Sequence, residues 1–590
     1  MPGLDILFNI ISLVAGLVFF LFGMSTMSNS LEKLAGSKLE VVLKKMTDKP
    51  VVGLLMGLVV TAIIQSSSAT TVILVGLVNS GLMSFQSTIG VLFGANIGTT
   101  VTAWLLSLSS IGGEGSPVIL QFFKPQIFAP VLAIVGTGFT MMAKSDKKKI
   151  IGTLFIGFTV LIYGMDIMSD AVKDFRGIGD LFAKFDNPVL CVLVGILVTA
   201  VIQSSSASVG ILQALSLTGA ITYDIAVPII IGQNIGTCIT GLISSIGAGA
   251  RAKRVVFSQI FIKVLGMLIV LPVYVIATKA LDLATDEMTV NPVSIAIIHT
   301  VYNVILLLLM PFSKAIAKLC EKVIREKNGE EITKGTKAVV NLDERLLRSP
   351  AVAVMECDSY TSQMAILAKV TILKALNLVF DYKEDEADLI KENEGVLDTY
   401  EDELGSYLVK VSAESLSAND ARTVSRMLHT IGDFERLGDH ALNLKKVAQE
   451  INEKKIVFSQ SAQKEIETLI DAITEIVIMT TKVYEKNDLA LATRVEPLEQ
   501  VIDGLASEIK SHHVNRLQSG DCTIEMGFVL SDLLTNCERI SDHCSNIAVA
   551  VIEAQHDTYD AHHYLKSVKY GNEEFKEIFE EYNGKYDLHK

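Results

Sequence analysis

The chain has 590 residues, a formal net charge of −14, an apolar content of 50% and a mean hydropathy of +0.44. This hydropathy is too high for an ordinary soluble protein, and the length predicts more than one domain. The seven cysteines are odd in number and include no C-x-x-C pair, which argues against a disulfide framework or a zinc ribbon.

The charges divide the chain into two parts. Residues 1–320 hold 20 Lys and Arg against 15 Asp and Glu, whereas residues 321–590 hold 31 against 50. The first part contains apolar stretches long enough, at 1.5 Å per residue, to cross a ~30 Å hydrocarbon layer. We place seven crossings, near residues 6–28, 86–108, 126–143, 150–170, 225–247, 255–278 and 293–312.

Two polar motifs interrupt this apolar part, and each occurs twice. A shift of 138 residues aligns 61–108 with 199–246, and 19 of the 48 positions are identical, including Q-S-S-S and the later N-I-G-T. A buried hydroxyl or amide without a partner costs roughly 1–3 kcal/mol, so these side chains need one another or a ligand. Close packing of small residues between membrane helices is the alternative explanation. The duplication of both motifs favours the ligand.

The distribution of basic residues predicts the topology. Segments 29–50, 144–149 and 251–254 carry 12 Lys and Arg, against five in the linkers 109–124, 171–187 and 279–292, so the first set is expected in the cytoplasm. This works only if 51–83 and 189–221 each enter and leave on one face as re-entrant hairpins. Each repeat then has an odd number of crossings, and the second repeat is inverted, as in many secondary transporters.

Polar tips that enter from opposite faces predict a shared central site. Helix N-termini and serine hydroxyls favour an anion, whereas amide and hydroxyl oxygens suit a monovalent cation. Few ionised residues lie in the spans. Lys263 is interpreted as snorkelling or pairing near the inner face, and Asp224 either helps to bind a cation or is simply solvated.

These motifs resemble the type II sodium/phosphate cotransporter family, over roughly residues 1–315. The segment 294–311 is similar to a family stretch that contains His299 and Asn303, while the corresponding 251–266 departs from it at Ser258 and Ile262-Lys263. The resemblance implies sodium-coupled phosphate movement with Na⁺ as the coupling ion. The implied substrate and sodium residues are Gln65, Ser66, Ser67, Ser68, Asn96, Thr99, Gln203, Ser204, Ser205, Ser206, Asn234 and Thr237.

The acidic part reads as two antiparallel three-helix units. Residues 432–444 align with 535–547 at a shift of 103, and 392–398 resemble 497–503 at a shift of 105. Four E-x-x-x-D pairs occupy equivalent places, and residues four apart share a helix face. If the pairs of each unit face one another, they form a four-carboxylate metal site. The eight residues are Glu394, Asp398, Glu435, Asp439, Glu499, Asp503, Glu538 and Asp542.

Two alternatives for these acidic residues stay open. A solvated acidic face explains any single pair, and Arg436 and Arg539 can neutralise part of the charge. His440 and His543 project about 100° away from the neighbouring aspartates and are not expected to be ligands. This part resembles a PhoU domain, a phosphate-signalling module whose acidic motifs bind metal clusters, and the resemblance leaves the identity of the metal open.

The leading hypothesis is a secondary active transporter with a regulatory domain, in the cell membrane. A membrane-bound phosphate sensor and a carrier of another oxyanion, such as sulfate or arsenate, are the alternatives. An enzyme is disfavoured because no Walker loop, G-x-S-x-G or H-E-x-x-H occurs. The expected partners are phosphate, sodium, the lipid bilayer, a cytoplasmic signalling protein and a second copy in a homodimer, but no nucleic acid. The expected domains are 1–315 (repeats 6–143 and 150–278, extra helix 293–312), linker 316–350, a cytoplasmic PhoU-like domain 351–555, and charged tail 556–590.

Overall fold

The computed structural model describes residues 2–44, 49–79, 83–108, 125–173, 187–285, 287–325, 340, 342–554 and 573–588. Across these residues the regular secondary structure is helical, apart from one isolated bridge between Thr222 and Thr289. The predicted all-α class is confirmed. The chain forms two compact units, Met1–Ile332 with Asp343–Val352, and Thr333–Leu342 with Ala353–Lys590.

The first unit is a bundle of apolar helices, several of which begin at a proline whose missing N–H is harmless in the first turn. Two 3₁₀ segments, Leu307–Phe312 and Glu344–Arg348, accompany them. The helices are α1 (Pro2–Lys44), α2 (Pro50–Ile64), α3 (Ser67–Asn79), α4 (Phe85–Gly98), α5 (Thr100–Ser107), α6 (Pro125–Met142), α7 (Asp146–Lys173), α8 (Pro188–Ile202), α9 (Ser205–Ser216), α10 (Tyr223–Gly236), α11 (Cys238–Ser244), α12 (Ala250–Ala280), α13 (Pro292–Leu306) and α14 (Ser313–Val323).

Six spans among the described residues are long and apolar enough to cross a membrane. The first unit is therefore a multi-pass membrane domain. The crossing expected at 126–143 is α6, a shorter apolar helix of 18 residues. The crossings expected at 86–108 and 225–247 each consist of two helix segments that meet inside N-I-G-T, α4 with α5 at Thr99 and α10 with α11 at Thr237. The backbone of both threonines stays in the helical region, so each pair forms one span.

The packing of α1 against α7 shows how the two repeats are related. A Cβ on Gly16 would lie 2.9 Å from the carbonyl oxygen of Gly164, and one on Gly23 would lie 2.6 Å from that of Gly157. In the repeat alignment Gly16 corresponds to Gly157 and Gly23 to Gly164. Each glycine therefore packs against the equivalent of the other. This reciprocal pattern is the one that a two-fold axis produces between antiparallel helices, so the repeats are inverted.

Within each repeat the same close helix contact recurs. A Cβ on Gly94 of α4 would lie 1.9 Å from the carbonyl oxygen of Leu54 in α2, and one on Gly232 of α10 would lie 2.1 Å from that of Val192 in α8. Only glycine allows the backbones to approach so closely. The contact presses the helix that carries N-I-G-T against the helix that ends at Q-S-S-S.

The segment that follows the membrane helices folds back onto the first unit. Leu346 is fully buried, and its side chain lies 2.5 Å from the position of a Cβ on Gly76 in α3. Asp343 accepts a hydrogen bond of 3.0 Å from the side chain of Asn79, at the end of the same helix. The 3₁₀ turn Glu344–Arg348 is therefore fixed against α3.

The second unit is built from long helices that pack as two similar halves. The helices Ala418–Lys454 (α17) and Ile524–Glu553 (α21) lie at its centre, where Nδ1 of His440 is 2.9 Å from Oδ1 of Asn536. The short helix Glu573–Lys585 (α22) packs on this unit through buried Tyr582 and an ion pair of 2.8 Å between Arg494 and Glu581. It lies in the segment that was expected to be a charged tail. The helices are α15 (Pro350–Leu378), α16 (Glu384–Ser412), α17 (Ala418–Lys454), α18 (Gln460–Lys486), α19 (Leu489–Ala492), α20 (Val495–Ser519), α21 (Ile524–Glu553) and α22 (Glu573–Lys585).

Candidate functional site

Each Q-S-S-S motif forms a sharp reversal between two helices. Gln65 ends α2 with φ of 60°, and Gln203 ends α8 with φ of 59°. Both backbones lie in the left-handed region, which residues other than glycine rarely adopt. The chain then folds back, so that Thr61 and Thr70 share a hydrogen bond of 2.9 Å across the first reversal. The same uncommon conformation at both glutamines indicates that their side chains, rather than an easy turn, determine the residue type.

The first serine of each motif has a structural task. The hydroxyl of Ser66 accepts a hydrogen bond of 3.1 Å from the backbone N–H of Ala69, and that of Ser204 accepts one of 3.2 Å from Ala207. These are N-cap contacts, which satisfy one of the free donors at a helix start. The family resemblance implied a ligand-binding role for both serines and gave no indication of this capping role.

The second and third serines of each motif are buried in the first turn of the following helix. Ser67, Ser68, Ser205 and Ser206 are buried in the first turns of α3 and α9. Among the described residues, the hydroxyls of Ser67, Ser68 and Ser205 have no protein partner. The backbone N–H groups of these first turns also lack acceptors within their own helices. Hydroxyl and N–H donors therefore collect at both reversals.

The two reversals meet each other. The hydroxyl of Ser206 donates a buried hydrogen bond of 3.4 Å to the backbone carbonyl of Gln65. The carbonyl oxygen of Gln65's side chain accepts a bond of 2.8 Å from the hydroxyl of Thr102 in α5. The first reversal is thus bound to the second repeat on one side and to its own α5 on the other. The two motifs are therefore in direct contact.

The N-I-G-T breaks lie beside the reversals of their own repeats. A Cβ on Gly98 would lie 2.8 Å from the Cβ of Thr61, and one on Gly236 would lie 2.7 Å from that of Thr199. Asn96, Thr99, Asn234 and Thr237 are all buried. The hydroxyls of Thr99 and Thr237 donate to the backbone one turn earlier and keep their acceptor capacity. These residues provide oxygen atoms next to the donors of the reversals.

The equivalent glutamines differ in exposure. Gln65 is 4% exposed, whereas Gln203 is exposed, and its side chain makes no hydrogen bond with another described residue. The two repeats are therefore in different arrangements around one site. The sequence could not show this difference, because both motifs are identical at these four positions.

Thr102, which donates to the side chain of Gln65, was not among the residues predicted from the motifs. A signal was present in the sequence, because Thr102 and Thr240 are identical in the repeat alignment. Gln213 in α9 was not predicted either; its amide donates to the backbone carbonyls of Ala103 and Pro292 at 3.0 and 2.9 Å. No motif pointed to Gln213, because its equivalent in the first repeat is a valine.

In the second unit, one acidic cluster is close enough to hold a metal ion. Carboxylate oxygens of Glu499 and Asp503 in α20 and of Asp542 in α21 all lie within 4.8 Å of one another. These are three of the four residues predicted for this half, and Glu538 is not part of the cluster. Three carboxylates suit a hard or borderline cation.

The equivalent residues of the first half are near one another but more widely spaced. Partial burial and the neighbouring Asp439 raise the pKa of Glu435 to about 7. Partial burial, with Asp398 and Asp439 next in importance, also raises the pKa of Glu394. The carboxylates repel one another, which a bound cation would relieve.

Two of the alternatives considered for these residues also have a structural basis. Nη1 of Arg436 lies 2.9 Å from Oδ2 of Asp439, and Nη1 of Arg539 lies 3.3 Å from Oδ2 of Asp542. Both arginines are mostly exposed, so these pairs stabilise the fold little. Nδ1 of His543 lies 2.8 Å from Oδ1 of Asp433, which is not one of the predicted ligands.

Comparison with known proteins follows the two units. The family described as Na+/Pi-cotransporter matches residues 19–170 and 175–282, and the PhoU domain matches 361–448 and 466–551. The "Putative inorganic phosphate export protein YjbB" of Escherichia coli K12 is 23% identical over 561 residues, which cover 92% of this chain and 98% of that protein. The "Uncharacterized protein YqeW" of Bacillus subtilis is 31% identical over 54% of this chain and 99% of its own length.

Two further similarities cover parts of the chain. The human "Sodium-dependent phosphate transport protein 2B" is 32% identical over 185 residues, which are 29% of this chain and 26% of that protein. The crystal structure of PhoU from Pseudomonas aeruginosa aligns with 36% of this chain and 100% of its own, at 21% identity and a TM-score of 0.33.

Proposed function

Since the chain belongs to the Na+/Pi-cotransporter family and carries a PhoU domain, we propose that it is a sodium-coupled secondary transporter of inorganic phosphate. The observation that carries this proposal is the contact between the two reversals, where Ser206 donates to the carbonyl of Gln65. Inverted repeats that meet at broken helices are the architecture in which one site opens to either face in turn.

The proposed phosphate site uses the donors of the reversals. The hydroxyls of Ser67, Ser68 and Ser205, together with the N-termini of α3 and α9, face an anion with hydrogen-bond donors and favourable dipoles. Both helices are longer than ten residues, so each has the partial positive charge of a helix dipole at its N-terminus. Gln65 and Gln203 frame this site.

The proposed sodium site uses the oxygen atoms of the N-I-G-T breaks. Hydroxyl and amide oxygens are ligands that suit Na⁺, because they can replace part of its water shell. Co-bound sodium would offset the charge of phosphate at membrane depth, which makes coupling the expected outcome. The residues are Asn96, Thr99, Asn234 and Thr237.

We further propose that the two hairpins are re-entrant. The helices α2 and α8 have 15 residues each, about 22 Å at 1.5 Å per residue, which is short of a ~30 Å hydrocarbon layer. With both reversals inside the bilayer, the basic segments lie in the cytoplasm, and so does the PhoU-like domain. Cysteine labelling that finds both reversals open to the same compartment in every state would contradict this topology.

The PhoU-like domain is proposed to regulate transport through bound metal. The cluster of Glu499, Asp503 and Asp542 is the better formed of the two expected sites. Glu538 completes it if its side chain rotates inwards. The sites in the two halves are proposed to respond to the cytoplasmic phosphate state and to alter transport.

Flux in proteoliposomes tests the proposed transport. The purified full-length chain should take up labelled phosphate when sodium is the gradient and fail to do so in potassium. Gln65→Ala and Ser205→Ala should abolish uptake, whereas Ser216→Ala, which removes only a hydroxyl bonded within α9, should retain it. Equal uptake in potassium would contradict sodium coupling, and phosphate binding without flux would favour a sensor.

Physiological direction needs a separate measurement. The YjbB relatives are named for phosphate export, whereas the human relative is named for sodium-dependent transport. A symporter moves phosphate and sodium together, in the direction that the sum of their two gradients favours. Vesicles loaded with phosphate and sodium should therefore release both. Release that does not depend on sodium would separate an exporter from the symporter proposed here.

A further inference from the structure

Lys263 is a buried cation in the middle of a membrane helix. It is 1% exposed and follows the start of α12 at Ala250 by 13 residues, or about 20 Å along the helix axis. This contradicts the interpretation that it snorkels to the inner face. An ammonium group at this depth is costly unless an anion accompanies it.

The surrounding protein does not supply that anion. Among the described residues, the ammonium of Lys263 forms no hydrogen bond and no ion pair. The titratable groups within electrostatic range are Cys238, the residue after the second N-I-G-T, and His299 on α13. Neither a thiol nor an imidazole offers a permanent negative charge. A bound anion would supply the missing counter-charge.

The register of the helices places Lys263 at the depth of the first Q-S-S-S motif. Near the membrane surface, the N–H of Gly249 donates a bond of 2.9 Å to the side chain of Asn79, at the end of α3. Further in, Oε1 of Gln259 and Cγ2 of Thr71 both lie 3.4 Å from the position of a Cβ on Gly241. The helices α3 and α12 thus run antiparallel past each other.

One more turn along each helix leads to the proposed transport site. Lys263 follows Gln259 by four residues, and Ser67 precedes Thr71 by four. The hydroxyl of Thr71 donates a bond of 2.8 Å to the carbonyl of Ser67, so that turn is regularly helical. Lys263 is therefore level with the serines of the first motif along the axes of α3 and α12.

The groups around Lys263 are also short of partners. His299 is 1% exposed, and neither of its ring nitrogens has a hydrogen-bond partner among the described residues. The same holds for Oδ1 of Asn303, one turn further along α13, and for Oε1 of Gln259. Buried polar atoms are nearly always satisfied, so a cluster of exceptions indicates a ligand that completes it.

We propose that Lys263 is a built-in cation of the transport site, whose ammonium pairs with the bound tetrahedral oxyanion and takes the place of one coupling cation. His299 donates a further hydrogen bond to the same anion. This inference rests on the proposed transport function and adds to it that the chain needs one sodium charge fewer per phosphate than a variant with a neutral residue at this position.

Binding to the purified full-length chain tests the inference without requiring transport. Lys263→Gln should weaken the binding of inorganic phosphate by at least about tenfold, and should make the remaining binding depend more steeply on sodium. The control is Lys279→Gln, which removes an exposed lysine from the end of the same helix and should leave binding unchanged. Lys263→Arg should retain part of the affinity.

The stability of the variants provides a second measurement. Without phosphate, Lys263→Gln and Lys263→Met should melt at or above the temperature of the parent protein, because an unpaired buried charge has been removed. Phosphate should then raise the melting temperature of the parent more than that of either variant. If neither neutral variant folds, the ammonium is a structural group with protein partners, and the inference is wrong.

The two proposals fail in different ways. If the parent protein transports phosphate with sodium and Lys263→Gln behaves identically, only the role of Lys263 is refuted. If the parent protein shows no flux but loses phosphate binding on Lys263→Gln, transport is refuted while the anion-binding role of Lys263 stands.

Discussion

The substitution Gly94→Ala tests the close contact that positions the N-I-G-T break beside the first reversal. A methyl group on Gly94 would lie 1.9 Å from the carbonyl oxygen of Leu54 and 2.7 Å from the backbone nitrogen of Leu58. Both atoms belong to the backbone, so no rotamer change can relieve the clash. To reach an ordinary contact of 3.4 Å, α4 must retreat from α2 by about 1.5 Å.

This displacement has a cost in stability and in function. Overpacking of a tight interface typically lowers the free energy of unfolding by about 1–3 kcal/mol. The retreat also carries Asn96 and Thr99 away from Gln65, and a site misplaced by more than about 0.5 Å loses its preorganisation. We expect a lower melting temperature in detergent and at least about a tenfold loss of sodium-driven phosphate uptake.

A second glycine provides the matched control. Gly138 lies in α6 with nothing within 4 Å of its Cβ position, so Gly138→Ala should be neutral or slightly stabilising. Gly232→Ala, the equivalent change in the second repeat, should reproduce the defect, because its Cβ would lie 2.1 Å from the carbonyl oxygen of Val192. If Gly94→Ala melts and transports like Gly138→Ala, the close contact or its role in the site is wrong.

Three further predictions separate structural from functional roles. Ser204→Ala should lower the free energy of unfolding by about 1 kcal/mol through loss of the cap and retain phosphate binding, whereas Ser205→Ala should retain stability and lose binding; similar losses in both would contradict the division. Burial raises the pKa of Glu435 to about 7, so the metal-free domain should lose stability as the pH rises from about 4.5 to 7. For the same reason, the metal affinity of the first half should fall about tenfold between pH 8 and pH 6. Calorimetry that finds equal affinities at the two pH values would refute this. Asp503→Asn should weaken metal binding at least about tenfold while Glu467→Gln, on an exposed face, should not, and elemental analysis of the full chain that finds equal metal in both would refute the cluster.

The architecture could be predicted because the sequence patterns that indicate it are periodic and duplicated. The shift of 138 residues aligned the two Q-S-S-S and N-I-G-T motifs, and the inverted relation that it implied agrees with the reciprocal glycine contacts of α1 and α7. The family resemblance was confirmed for both parts of the chain. Repeats survive in a sequence because both copies must satisfy the same packing geometry.

Features that depend on tertiary register were not available from the sequence. Lys263 was assigned to the membrane edge by counting residues from a basic segment, but it lies about 20 Å along α12 from Ala250 and its side chain is buried. The role of Ser66 as a cap and the interruption at Thr99 also required backbone geometry. Local hydropathy reports whether a segment is apolar, but not which helix face meets which neighbour.

The unequal exposure of Gln65 and Gln203 has a consequence for the transport cycle. Because the repeats share one fold, exchanging their arrangements would give the opposite-facing form of the proposed transporter. In the exchanged form Gln203 would be covered, Gln65 would be open, and Ser68 would donate to the carbonyl of Gln203 in place of the bond from Ser206 to Gln65. The asymmetry between the two repeats thus predicts the contacts of the opposite-facing form, residue by residue.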